Sequence, residues 1–140
     1  FAVGNAPSAA AIADLDGDGR AEIIVANYSS GSVSVLRNQT VPGAPTPSFT
    51  ALPALAVPVS ANWLRVADIN NDGRLDIVVA GDPSPTHPAA VLLNTTDIAA
   101  GTGPSFAAAQ GIGTTFTAFG LAVGDVDLDG RIDVLVNGPG

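Results

Sequence analysis

Three nine-residue stretches repeat one another along this chain, and they limit what it can become. Asp14-Leu-Asp-Gly-Asp-Gly-Arg-Ala-Glu22, Asp68-Ile-Asn-Asn-Asp-Gly-Arg-Leu-Asp76 and Asp125-Val-Asp-Leu-Asp-Gly-Arg-Ile-Asp133 align without a gap. Their starts lie 54 and 57 residues apart. All but two of the 13 acidic residues fall inside them, Asp82 and Asp97 being the exceptions. Charge that merely solvates a surface would be spread along the chain. This clustering marks a repeated device.

The flanks repeat as well. A short apolar stretch precedes each acidic segment, at residues 9–13, 63–67 and 119–124. A β-branched run follows each: Ile23-Ile24-Val25, Ile77-Val78-Val79 and Val134-Leu135-Val136. Runs this short, bounded by turn residues, read as buried strands. A third strand is expected at 32–37 and 89–93, and a fourth beginning near Phe49 and Phe106. Proline and glycine fill the linkers at 42–48, 83–88 and 101–105, and no helical period is visible. Four short strands per unit describe an all-β fold, a β-propeller with blades of four antiparallel strands. The chain reads as one segment, 1–140, with repeats at about 1–48, 49–105 and 106–140.

Within each acidic segment, positions 1, 3 and 5 are Asp or Asn, position 6 is Gly, and position 9 is Asp or Glu. Hard oxygen ligands at alternate positions let a tight loop wrap one cation. The glycine (Gly19, Gly73, Gly130) permits the sharp turn that aims the next carbonyl inward. That carbonyl belongs to Arg20, Arg74 or Arg131, whose side chains are expected to point out to water. An all-oxygen set without His or Cys favours calcium over zinc, copper or magnesium. An EF-hand is excluded, because position 12 is Val25, Val79 or Val136 inside a strand rather than a bidentate Glu.

The pattern resembles the FG-GAP family of calcium-binding propeller repeats, seen in the integrin α-subunit head, and the related VCBS repeats of bacterial surface and secreted proteins. That resemblance implies calcium held by side chains at positions 1, 3, 5 and 9 and the carbonyl at 7. The implied ligands are Asp14, Asp16, Asp18, Arg20 and Glu22 in the first loop. They are Asp68, Asn70, Asp72, Arg74 and Asp76 in the second, and Asp125, Asp127, Asp129, Arg131 and Asp133 in the third. The longer Glu22 and the uncharged Asn70 make the first two sites the weaker ones.

Three Ca²⁺ ions would bring the formal charge from −8 to −2 and relieve the repulsion among gathered carboxylates. Cysteine is absent, which excludes disulfides, zinc ribbons and thiol nucleophiles, so any staple has to be something other than sulfur. An acidic chain with no lysine and five scattered arginines has no surface for nucleic acid or anionic membrane. No apolar run approaches the roughly 20 residues of a bilayer span, so membrane insertion is not expected. No secretory signal is visible in the chain; on the secreted reading it has been removed or lies outside. Abundant alanine and proline without lysine suggest a GC-rich bacterial source.

These features lead to an extracellular or cell-surface, non-enzymatic module stabilised by calcium and serving adhesion or assembly. Its ligand would be a protein or a glycan. Saturated metal loops leave no room for an activated water, and outside them stand only His87, Tyr28 and Trp63 as notable side chains. A lectin or polysaccharide lyase is one alternative, since calcium-bearing propellers include lyases. Trp63 is expected in core or inter-blade packing, His87 in an exposed loop, and Tyr28 near a rim. Asn27, Asn38 and Asn94 begin Asn-x-Ser/Thr sequons that suit either surface glycosylation or a turn requirement.

About two and a half blades are expected. Phe1 aligns with Leu55 and Ile112, and residues 134–136 form a second strand with no third behind it. Either the chain is part of a longer propeller, the favoured reading, or copies complete one another head to tail in a ring or fibre.

Overall fold

A computed structural model of the chain describes residues 1–83, 88–113 and 117–139. His87 lies outside the described residues, as does most of the 83–88 linker. The first sheet comprises β1 (Pro7–Ala13), β2 (Glu22–Asn27), β3 (Ser32–Asn38), β4 (Phe49–Ala51) and β5 (Leu55–Ala56). The second comprises β6 (Val59–Ala67), β7 (Asp76–Pro83), β8 (Ala89–Leu92) and β9 (Gln110–Ile112), and the third β10 (Gly120–Gly124) and β11 (Asp133–Asn137). All pairings are antiparallel between sequence neighbours, except that β5 joins β4 in pairing with β3. This is the expected all-β architecture of blade-like sheets.

The fourth strands are broken. In the first sheet β4 and β5 are separate pieces, and the gap holds Pro53, which has no N–H to give a ladder. In the second, Phe106 forms only an isolated bridge with Asn94, and the continuous strand starts later, at Gln110. The two Phe residues nevertheless occupy equivalent places, since Phe49 pairs with Asn38 and Phe106 with Asn94. One 3₁₀ turn, Ile98–Ala100, interrupts a linker. Asp97 caps it, accepting the Ala99 and Ala100 N–H groups at 3.1 and 3.3 Å. A single turn has no period for a sequence to display.

The sheets stack face to face with the second in the middle. Ile24, Ala26, Val33 and Val35 of the first sheet meet Ile77, Val79, Ala90 and Leu92 of the second in one core. The alternate residues of the middle sheet, Val78, Ala80, Ala89 and Val91, form another core with Leu121, Val123, Val134 and Val136. Alternation sends successive side chains to opposite faces, so a strand buried on both sides needs an unbroken apolar run. Trp63 is half-buried in the second core, in the expected inter-sheet role.

Both complete sheets carry a bulge at equivalent places in their first strands, around Ser8 and Asn62. Ser8 Oγ there donates to the Ala61 carbonyl of the next sheet at 2.6 Å. The Tyr28 hydroxyl crosses the same boundary, donating to Asp82 at 2.6 Å. Among the described residues no helix is long and apolar enough to cross a membrane.

Candidate metal centre

Each acidic segment is the hairpin loop between the first and second strands of its sheet, and its ninth residue opens the second strand. The three loops line one end of the stack. The second and third touch, Asn71 Nδ2 donating to the Gly130 carbonyl at 3.1 Å, and Asn94, past the third strand of the second sheet, reaches the Leu15 carbonyl of the first loop at 2.8 Å.

The backbone of every loop is folded by its own acids. The position-6 N–H donates to the position-1 carboxylate: Gly19 to Asp14, Gly73 to Asp68 and Gly130 to Asp125, at 2.8–2.9 Å. The position-7 N–H donates to the position-5 carboxylate: Arg20 to Asp18, Arg74 to Asp72 and Arg131 to Asp129. Position 9 accepts the position-2 N–H: Glu22 from Leu15, Asp76 from Ile69 and Asp133 from Val126. Gly19, Gly73 and Gly130 have φ of 82°, 84° and 86°, the left-handed conformation expected of them.

Convergence differs among the loops. Carboxylate oxygens of Asp14, Asp16 and Asp18 lie within 4.8 Å of one another in the first loop, as do those of Asp125, Asp127 and Asp133 in the third. Glu22 and Asp129 stand outside these groups. No such triplet is found in the second loop among the described residues. There Asn70 replaces an acid and donates to Asp72 at 2.8 Å. With help from Arg74, that bond holds the Asp72 carboxyl below its usual range.

Asp16 is the unusual member of the first loop. It is 5% exposed, and its Oδ2 takes Arg37 Nε and Nη2, both at 3.0 Å. Its Oδ1 is buried with no hydrogen-bond partner. A buried carboxylate oxygen without a donor is costly and calls for a partner of another kind. Beside two further carboxylates, a cation fits. Burial, with Asp16 and Asp18 nearby, also drives the Glu22 carboxyl above its ordinary value, although the Leu15 and Asn38 N–H groups oppose this.

The profile of the FG-GAP-like repeat matches residues 14–79 and again 68–136, each match opening on position 1 of a loop. The chain belongs to the FG-GAP-like repeat family. No curated protein and no solved structure gives a significant match to it.

One expectation for this FG-GAP-like repeat chain is corrected by its geometry, and an alternative left open is narrowed. The Arg20 and Arg74 side chains do not simply point to water. Each folds back across its loop, pairing with Asp18 or Asp72 and donating through Nε to the carbonyl of Asn38 or Asn94. The carboxylate one turn away and a bare carbonyl at the strand end draw them in. Of the sequon asparagines, Asn27 and Asn94 are buried, which favours the turn requirement over glycan display at those two positions. Asn27 is fully buried against Ser32 and Ser34, and Asn94 is 1% exposed.

Asn38 and Asn94 are the functional positions that reasoning on the loops missed. Each closes its loop from the end of the third strand. The N–H donates to the position-9 acid (Glu22 at 3.2 Å, Asp76 at 2.7 Å), and Nδ2 donates to the position-8 carbonyl (Ala21, Leu75) at 3.0 Å. Oδ1 accepts the N–H of Thr40 or Thr96. A signal was present: Val35-Leu36-Arg37-Asn38-Gln39-Thr40 and Val91-Leu92-Leu93-Asn94-Thr95-Thr96 share the pattern Val-Leu-x-Asn-x-Thr. Arg37 was missed as well. It also donates to the Gly101 carbonyl, and Gly103 packs so closely on its guanidinium that a Cβ would lie 2.9 Å away.

Proposed function

We propose that the loops hold calcium and that the ions fasten the stacked sheets of a structural and interaction module working outside the cell. The carrying observation is Asp16 Oδ1, buried without a donor on a carboxylate that converges with Asp14 and Asp18. The donor set is oxygen throughout, which suits a hard cation. In the first loop the ligands are Asp14, Asp16, Asp18, the Arg20 carbonyl and Glu22; in the third, Asp125, Asp127, Asp129, the Arg131 carbonyl and Asp133. In the second they are Asp68, Asn70, Asp72, the Arg74 carbonyl and Asp76, and this site is the weakest because three carboxylates do not gather there. A bound ion supplies positive charge where repulsion among carboxylates disfavours the fold. Glu22 and Asp76, already tied to backbone N–H groups, link each loop to the third strand.

Extracellular modules bind calcium at about 10⁻⁴–10⁻³ M, an affinity suited to the outside of a cell. Millimolar calcium is then about 1–10 times the dissociation constant and adds roughly 0.4–1.4 kcal/mol per site. The melting temperature in millimolar calcium is therefore expected to exceed that in excess chelator by several degrees or more. Equal melting temperatures in the two buffers would end the calcium reading. Adhesion to a protein or glycan through the loop-bearing end is the use we assign to the module, with no catalytic step. A glycan array together with sedimentation tests it: no sugar bound, with self-association retained, would turn the assignment to architecture.

A further inference from the structure

A segment of the second sheet lies across the acidic loop of the first. Residues 97–103 hang between the third and fourth strands of the second sheet. Their stem is closed by Ser105, whose N–H donates to Thr96 Oγ1 at 3.0 Å and whose carbonyl takes the Thr95 N–H at 2.9 Å. Three contacts make this segment a strap. Ile98 covers Gly17, where a Cβ would lie 3.4 Å from both of its methyl groups. The Gly101 carbonyl accepts Arg37 Nη2 at 3.2 Å. Gly103 is buried against the Arg37 guanidinium, with no room for a side chain.

The same guanidinium grips Asp16. Nε and Nη2 both reach Asp16 Oδ2 at 3.0 Å, which leaves the buried, unpartnered Oδ1 as the oxygen for an ion. A planar fork in a mostly buried setting fixes the carboxylate it holds. Without an ion, the orphaned Oδ1 and the repulsion of Asp14 and Asp18 both favour swinging Asp16 out to water, away from Arg37. An ion removes both costs. The second sheet shows that the loop fold alone does not require this arginine. Arg37 immediately precedes Asn38, whereas Leu93 precedes Asn94, and position 3 of the second loop is Asn70. Acid and arginine are present together in one sheet and absent together in the other.

We propose that Arg37 is the positioning residue of the first ion site and couples that site to the 97–103 strap. An ion on Asp16 Oδ1 keeps the carboxylate in place, the carboxylate holds the guanidinium, and the guanidinium holds the strap shut. Because coupling between two equilibria is reciprocal, a closed strap in turn tightens the first loop on its ion. Resting on the calcium reading of that loop, the coupling makes its ion a clasp between two sheets rather than a brace within one hairpin.

The test follows amide hydrogen exchange by NMR in the 140-residue chain during titration with calcium chloride, with calorimetry on the same samples. The reporters are Ala100 and Gly101 in the strap, whose amides bond the Asp97 and Ile98 carbonyls, and Gly19 and Gly73 in the first two loops. Calcium should slow exchange at Ala100 and Gly101 about tenfold. Arg37→Leu, which installs the residue of the equivalent position, should abolish that response while Gly73 keeps its own. Ile98→Ala gives a second arm at an exposed side chain outside the ion loops. It should raise the calcium concentration needed to protect Gly19 several-fold and leave that for Gly73 unchanged. Absence of any calorimetric binding would overturn the calcium reading and the coupling with it. The coupling alone is overturned if calcium protects Gly19 but not Ala100 and Gly101, if their response survives Arg37→Leu, or if Ile98→Ala leaves the Gly19 titration unmoved.

Discussion

Position 4 of each loop carries no ligand, yet its backbone is left-handed in all three: φ is 73° at Gly17, 58° at Asn71 and 63° at Leu128. Glycine and asparagine tolerate this, whereas a leucine costs about 1–2 kcal/mol. Leu128 is 86% exposed, so its side chain returns little. Leu128→Gly should therefore raise stability by about 1 kcal/mol, read as a higher urea midpoint; a lower midpoint would show that the strain is not real. Glu22 supports a prediction on pH. Its carboxyl is raised above 4.5 chiefly by burial, so the folded state holds the proton more tightly than the unfolded chain. The contribution is then fully present below pH 4.5 and is lost as pH rises through the folded value. In chelator, the stability of the native protein relative to Glu22→Gln should fall over that window, and calcium should flatten the trend. A flat difference in chelator would contradict the assigned cause. At this scale the loop acids were legible because they are contiguous and repeated. The asparagine lock was not, because Asn38 acts on Ala21 and Glu22 across a sheet, and Asn-x-Thr also reads as a sequon.

At the scale of elements, the second strands were legible because Ile77-Val78-Val79 has no other use in so short a run. The breaks and bulges were not, because they follow from how neighbouring strands fit. Gly81 shows this. It lies opposite Ala61 at the second-sheet bulge, and a Cβ there would sit 1.9 Å from the Ser60 carbonyl oxygen. Backbone, not a flexible side chain, would have to move. Gly81→Ala should cost about 3 kcal/mol, measured as a lowered urea midpoint at unchanged slope. Gly73 has nothing within 4 Å of a Cβ and needs its glycine only for φ. Gly73→Ala should cost no more than about 1–2 kcal/mol. If the two variants lost stability equally, close approach at the bulge would not be what fixes Gly81.

At the scale of the molecule, the β-branched runs look alike, but their surroundings differ because of their place in the stack. The middle sheet has a core on each face, so Val78 and Val79 are both fully buried although they point in opposite directions. Leu135 is the counterpart of Val78 in the third sheet and remains 45% exposed. No local sequence pattern separates the two, since what differs is whether another sheet lies against that face. Truncation should reveal the layering. Val78→Ala and Val79→Ala each remove two buried methyl groups and leave a cavity, for a loss of about 2–3 kcal/mol. Leu135→Ala removes more carbon but should cost below about 1 kcal/mol, because much of that surface is already in water. Chemical denaturation of the three variants would order them by layer rather than by side-chain size. An order following size, with Leu135→Ala the most damaging, would mean that its face is covered in solution and that the stack continues there.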